Sequence, residues 1–233
     1  MEPRDLSAHV AYEAGRGVEE VARDLGLDPE SLVKLSSNEN AYGPAPKAAE
    51  AIREYAPNVH TYPKSSAADL REALAERWAV TPSQVWLANG GDGALDYLAR
   101  AMLDPGDGVL VSKPGFAYYA MSARYHHGTV SEYPIRKSED FEQTAEAVLQ
   151  HYGGERIVYL TSPHNPSGSE MSLSEVETLA DATDEETLVV VDEAYGEFSD
   201  SPSAVALVEE RDDVAVLRTF SKAYGLAGVR LGY

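Results

Sequence analysis

The chain reads as an α/β domain built on a mainly parallel sheet with helices on both faces. Three observations predict this. Runs such as Ile157-Val158-Tyr159-Leu160 and Leu188-Val189-Val190-Val191 are continuously apolar, as in strands buried on both faces. Amphipathic helical stripes alternate with these runs. Turn clusters such as Asp104-Pro105-Gly106-Asp107 separate the two kinds of segment.

Taken in order, Val18, Val21, Ala22 and Leu25 form one apolar helical face, ended by Gly26, and an extended stretch Val33-Lys34-Leu35-Ser36-Ser37 follows. Residues 1–40 therefore read as an arm packed outside the main sheet, and residues 41–233 as the main domain. Leu70, Ala73, Leu74 and Trp78 make the next helical face, and Val85-Trp86-Leu87-Ala88 reads as a short buried strand. Ala94, Leu95, Leu98 and Met102 mark a helix, Val109-Leu110-Val111 a strand, and a helix is expected after Pro114-Gly115. The Ile157 and Leu188 runs are further strands. Between them, Ser172-Leu173-Ser174-Glu175 has capping-box spacing at a helix start. Val214-Ala215-Val216-Leu217 is a fifth strand. The chain stops at Arg230-Leu231-Gly232-Tyr233 with no helix to cover that strand, which reads as a fragment.

With 233 residues and 43% apolar content, the chain can fill a substantial core. Nineteen basic against thirty-nine acidic residues leave a formal charge of −20. A field of that sign repels nucleic acid and anionic membranes. The acidic residues are dispersed and only six basic residues are lysines, which suits a protein working in concentrated salt; an ordinary acidic protein is the alternative. The absence of cysteine excludes disulfides and thiolate chemistry. No apolar run approaches the roughly 18 residues that span a bilayer, and the N-terminus lacks the apolar region of a signal peptide. A cytoplasmic protein is expected.

Five segments flank strand ends, where open α/β sheets bind ligands. Asn89-Gly90-Gly91-Asp92-Gly93 offers backbone N–H groups and a helix N-terminus to an anion, or is a plain tight turn. In Lys113-Pro114-Gly115-Phe116-Ala117-Tyr118-Tyr119, Phe116 or a neighbouring tyrosine stacks on a planar ligand, or the aromatics are core. Ser162-Pro163-His164-Asn165-Pro166-Ser167-Gly168 presents the Asn165 amide from a rigid turn; His164 has no partner at metal-ligand spacing. Asp192, in Asp192-Glu193-Ala194-Tyr195, is a carboxylate at the tip of a buried strand, which a protonated ring nitrogen or a helix-capping role would satisfy. In Thr219-Phe220-Ser221-Lys222, hydroxyls and apolar residues flank a lysine that can lose its proton when buried; Arg230 lies eight residues on, able to clamp a phosphate. A lone lysine would ordinarily be a surface residue.

The order of these motifs resembles the fold-type I pyridoxal phosphate (PLP) enzymes, in particular the aminotransferases that handle histidinol phosphate. Lys34-Leu35-Ser36-Ser37-Asn38-Glu39-Asn40-Ala41-Tyr42-Gly43-Pro44 resembles that family's opening motif, and His60-Thr61-Tyr62-Pro63 its next landmark. The resemblance spans nearly the whole chain. It implies the large domain of that fold, a mainly parallel seven-stranded sheet in an α/β/α sandwich. The N-terminal arm would belong partly to a small domain whose C-terminal portion is missing.

The resemblance also implies roles. Lys222 would carry PLP as a Schiff base and, once released from it, shuttle a proton between Cα and C4′. Asp192 would pair with the pyridinium nitrogen. Asn165 and Tyr195 would hydrogen-bond the 3′-oxygen, and Phe116 would stack on the ring. Gly91, Asp92, Thr219, Ser221 and Arg230 match the phosphate-cup positions. Tyr62 matches a tyrosine that reaches the neighbouring subunit's phosphate, which implies a homodimer. Ala41 stands where proline is usual, and Gly91 and Gly93 replace larger residues. The arginine that grips the substrate α-carboxylate has no counterpart in this chain.

The implied reaction is transamination between histidinol phosphate and 2-oxoglutarate, in histidine biosynthesis. Decarboxylation of threonine phosphate, or the chemistry of another class I/II aminotransferase, is the alternative within the fold, and a non-enzymatic effector module one outside it. Asn38-Glu39-Asn40 and Tyr42-Gly43-Pro44 favour the aminotransferase. The charge of −20 and the lack of a DNA-binding segment oppose the effector module.

Overall fold

The protein is described by a computed structural model over residues 16–233; the first part of the arm, residues 1–15, lies outside the described residues. Five strands, β1 (Gly108–Lys113), β2 (Thr129–Pro134), β3 (Ile157–Thr161), β4 (Leu188–Asp192) and β5 (Val214–Leu217), form one sheet in the order β2-β1-β3-β4-β5. Every pair is parallel, so each connection must cross over the sheet. The described helices are α1 (Val18–Leu25), α2 (Pro46–Tyr55), α3 (Ala68–Trp78), α4 (Gly90–Met102), α5 (Ala117–Tyr125), α6 (Ala145–Leu149) and α7 (Leu173–Ala182).

The continuous apolar runs are explained by two cores, one on each face. Side chains alternate across a strand, so Val158, Leu160, Val189 and Val191 face one core with Val176 and Leu179 of α7. Ile157, Tyr159 and Val190 face the other, with Leu95 of α4 and Tyr119 of α5. Every residue of β3 and β4 is buried. Both faces need apolar residues, and polar alternation disappears.

The strand β2 escapes this signal. It lies at the sheet edge, its residues Thr129, Ser131 and Glu132 are not buried, and Pro134 ends it. The helices α2 and α6 also give weak sequence signals: α2 has no buried residue, and α6 has only five residues.

The expected strand at Val85–Ala88 requires correction. Only Ala88 pairs, through an isolated antiparallel bridge to Gly232, and Trp86 is 67% exposed. Ala88 N–H donates to the Gly232 carbonyl at 2.9 Å, and Gly232 N–H returns to Ala88 at 3.0 Å. A second bridge joins Gly232 to Thr219. These two isolated bridges place Gly232 between Thr219, just after β5, and Ala88, outside the five-stranded sheet.

In the arm, α1 ends at Gly26 in the left-handed region (φ 65°), as its sequence predicts. Its apolar face is only partly covered: Ala22 is buried, whereas Leu25 is 64% exposed. The Ser172 hydroxyl accepts from Glu175 N–H at the start of α7. The Glu175 carboxylate does not complete the capping box; it accepts from Ala145 N–H instead, tying α6 to α7. No helix among the described residues is long and apolar enough to cross a membrane.

Candidate active site

A cleft of about 550 Å³ opens at the carboxyl ends of β3, β4 and β5. Asp192, the last residue of β4, lies at its floor and is 5% exposed. Its Oδ2 accepts from the Tyr119 hydroxyl at 2.6 Å and its Oδ1 from Ala194 N–H at 2.9 Å. Burial pushes its carboxyl above the usual range, and those two donors and Lys222 oppose the shift.

Lys222 follows β5 and is half-buried in the same cleft. Burial lowers its amine pKa, against the pull of Asp92, Asp192 and Glu39. Its Nζ donates to the carbonyls of Ser37 and Asn38 at 3.2 and 3.3 Å, and lies 5.7 Å from the Tyr195 ring centroid. The Asn38 amide donates to the Tyr195 hydroxyl at 3.0 Å. The Asn40 amide donates to Ala223 O at 2.9 Å. The opening motif thus lies directly over the lysine. Gly225 (φ 65°) is part of this fit, because a Cβ there would strike the Gly43 carbonyl.

At another side of the cleft, α4 begins at Gly90 with no side-chain cap from Asn89. Its first-turn N–H groups are the kind that receive anions. Gly91 and Asp92 line the cleft there, with Thr219, Ser221 and Arg230. The Thr219 and Ser221 hydroxyls are 2.9 Å apart, and Thr219 Oγ1 also accepts from Ser221 N–H at 3.1 Å. Arg230 donates to Asp92 Oδ2 at 3.1 Å and to Ala227 O at 3.1 Å. Gly90 (φ 72°) is required on two grounds: its backbone is left-handed, and a Cβ would run into the Arg230 guanidinium.

Phe116 and Asn165 also line the cleft. Phe116 precedes α5 and sits edge-on to Tyr119, with centroids 5.5 Å apart. His164, buried beside Asn165, uses both ring nitrogens internally: Nε2 meets Pro114 O at 3.0 Å and Nδ1 meets Ser167 Oγ at 2.7 Å. Burial lowers its pKa. Tyr62 is not brought to this cleft; its side chain is fully exposed.

Two cleft residues, Thr161 and Asn38, carry no individual role in the sequence, and Tyr119 enters there only as an aromatic neighbour of Phe116. Tyr119 has a usable signal, since it lies three residues after Phe116, in the first turn of the helix that Phe116 precedes. The contacts of Asn38, 157 residues from Tyr195, left no local signal.

Behind the cleft, Arg218 ties the turn after β4 to the end of β5. It is 3% exposed, donates to Glu193, and reaches Glu197 Oε1 at 2.7 Å. Its guanidinium also lies over the Trp78 ring at 4.1 Å. Removing one member of a buried pair strands the other charge, so Arg218→Ala should cost about 3–5 kcal/mol. Denaturant unfolding at fixed salt checks this, and a loss below about 1 kcal/mol would show that the pair is effectively solvated.

A family model described as aminotransferase class I and II matches residues 30–233. The chain is 77% identical over its whole length to a histidinol-phosphate aminotransferase of Natronomonas pharaonis, covering 66% of that protein. It is 70% identical to the one of Haloarcula marismortui, covering 65%. The chain thus spans just under two thirds of these relatives' lengths. Among solved structures, it superposes with a TM-score of 0.83 and 31% identity on a histidinol-phosphate aminotransferase of Sinorhizobium meliloti in complex with pyridoxal-5′-phosphate. That match covers 94% of this chain and 59% of the other.

Proposed function

The chain belongs to the class I and II aminotransferase family, and on that premise we propose that it carries the cofactor-binding part of a PLP-dependent histidinol-phosphate transaminase, with glutamate and 2-oxoglutarate as the other pair. The observation that carries this reading is the meeting, in one cleft, of a lysine with a lowered pKa and a buried strand-end carboxylate.

The residues present fit PLP. The cleft volume of about 550 Å³ suits a single-ring cofactor with room for a small substrate. Asp192 is a buried carboxylate that makes no ion pair among the described residues, so a protonated ring nitrogen would complete its pairing. The uncapped start of α4, the Thr219 and Ser221 hydroxyls and Arg230 suit a phosphate dianion. PLP, when bound, supplies an electron sink for the carbanion formed at substrate Cα.

The chain's own residues would then divide the work. Lys222 Nζ would hold the cofactor and, once released, would take the proton from substrate Cα and deliver it to C4′. Asp192 keeps the ring nitrogen protonated. Asn165 and Tyr195 orient the 3′-oxygen, and Phe116 covers the ring face. The backbone N–H groups of Gly91 and Asp92, the Thr219 and Ser221 hydroxyls and Arg230 would hold the phosphate. Asn38 and Ser37 lie over Lys222 and accept from its amine through their carbonyls. Tyr62, fully exposed on its own subunit, would reach the phosphate of a second one in a homodimer. We read residues 1–40 as the arm and 41–233 as the large domain, in a cytoplasmic enzyme of histidine biosynthesis. The charge of −20 and the haloarchaeal relatives support adaptation to salt.

The full chain, incubated in high salt with L-histidinol phosphate, 2-oxoglutarate and PLP, is expected to form glutamate. Release of carbon dioxide from threonine phosphate, without glutamate, would replace this reading with the decarboxylase.

A further inference from the structure

Asp192 faces a defined set of groups. These are the phenols of Tyr119 on α5 and Tyr159 on β3, the carboxylate of Glu193 beside it, and the amine of Lys222 after β5. Of the two phenols, only the Tyr119 hydroxyl bonds it, at 2.6 Å, within the range of a charge-assisted hydrogen bond. The same hydroxyl lies 2.9 Å from Thr161 Oγ1, and Thr161 is paired with Asp192 across β3 and β4. A phenol has one proton. Because an ionised carboxylate can only accept, Tyr119 donates to Asp192 and accepts from Thr161. The proton order is therefore Thr161 to Tyr119 to Asp192.

Packing fixes this chain. Tyr119 is 1% exposed, and its ring stacks on Tyr159 with centroids 4.6 Å apart and planes 7° from parallel. Phe116 braces it from the edge. Burial and the adjacent carboxylate hold the Tyr119 phenol well above its usual range, so it remains a donor at every working pH. Nothing in the proposed reaction uses this phenol directly, yet it occupies one oxygen of the residue assigned to the ring nitrogen.

We infer that Tyr119, backed by Thr161, is a positioning residue that aims the Asp192 carboxylate and keeps it ionised beneath the cofactor ring. The inference rests on the Asp192 role proposed above. A carboxylate buried at this site tends to take up a proton, and a protonated Asp192 could no longer hold the ring nitrogen charged. The phenol counters that tendency without adding a charge of its own.

The direct test needs no substrate. In the apo-protein of the full chain, the carboxylic-acid stretch of Asp192 can be identified by its loss in Asp192→Asn and titrated by infrared difference spectroscopy. Tyr119→Phe removes the donor and leaves the ring, so the charged form loses a partner and protonation moves to higher pH. The expected rise is about one pH unit, a tenfold change in the equilibrium. With cofactor and substrates, kcat should fall about tenfold with KM for histidinol phosphate little changed, and the acid limb of the kcat profile should move up with the titration.

An unchanged Asp192 midpoint in Tyr119→Phe would overturn the inference. So would a loss of kcat with no movement of the acid limb, the mark of a merely structural defect. Should Tyr119→Phe fail to fold, Thr161→Val replaces it: a smaller rise in the same direction supports the relay, and none refutes it. Failure of the functional reading is separate, since a wild-type protein that forms no glutamate would leave the infrared shift intact.

Discussion

Lys222→Ala is expected to abolish the visible absorption band that PLP gives with the protein, and with it essentially all transamination. The lysine would be both the covalent anchor and the group that moves the proton at substrate Cα, so the loss should be about 10³-fold or more in kcat. Spectrophotometric titration of PLP into the wild type and the variant is the measurement. Survival of the band in Lys222→Ala would remove the lysine from its role. A pH dependence accompanies this prediction. Burial lowers the Lys222 pKa, so more of its amine is neutral at a given pH than for a solvent lysine. Band formation should therefore reach its plateau at lower pH than the reaction of PLP with a free lysine side chain. Lys222→Arg, which keeps the charge but offers no nucleophilic amine, should behave as the alanine variant does.

Asp192→Ala is expected to spare much of the cofactor binding while removing most turnover. The cofactor would still be held by Lys222 and by the phosphate-binding residues, so the band should form, though at higher PLP concentration. The ring nitrogen would lose its buried carboxylate partner. An electrostatic contribution of this kind is worth about 10²–10³-fold in kcat. Asp192→Asn should fall between the two, because an amide preserves the shape without the charge. Near-normal turnover in Asp192→Ala, with PLP bound, would dismiss the electron-sink assignment. Equal loss of binding and turnover would instead point to a collapse of the cleft floor, where Tyr119 and Ala194 N–H would be left without their acceptor.

The two predictions rest on residues that the linear chain already singled out. Lys222 stands out because hydroxyl and apolar neighbours surround it, and Asp192 because a carboxylate ends a run of valines. Both signals are local. The strands β3, β4 and β5 are legible for a similar reason: burial on two faces forces consecutive apolar residues, whatever packs against them. The edge strand β2 has no such requirement, so its sequence carries no run of apolar residues. The segment at Val85–Ala88 misleads in the other direction: Val85 is buried with Leu74 and Ala75, while only Ala88 pairs, with Gly232.

What the chain states on its own is thus which segments must leave water and which residues carry unusual chemistry, because burial period and residue type are written in sequence. Partner choice is not written there. That Asp192 receives its proton donor from α5, that Arg218 stacks on Trp78 while pairing with Glu193, and that Asn38 meets Tyr195 all depend on crossovers and strand registers. Those geometries bring together residues tens to more than a hundred positions apart. Gly90 shows the difference most simply. Sequence suggested a glycine that lets an anion approach, whereas folding added that the space its absent side chain leaves is filled by the Arg230 guanidinium. A buried hydrogen bond or ion pair is strong only at the distance and angle the surrounding packing imposes, so its identity waits on the fold.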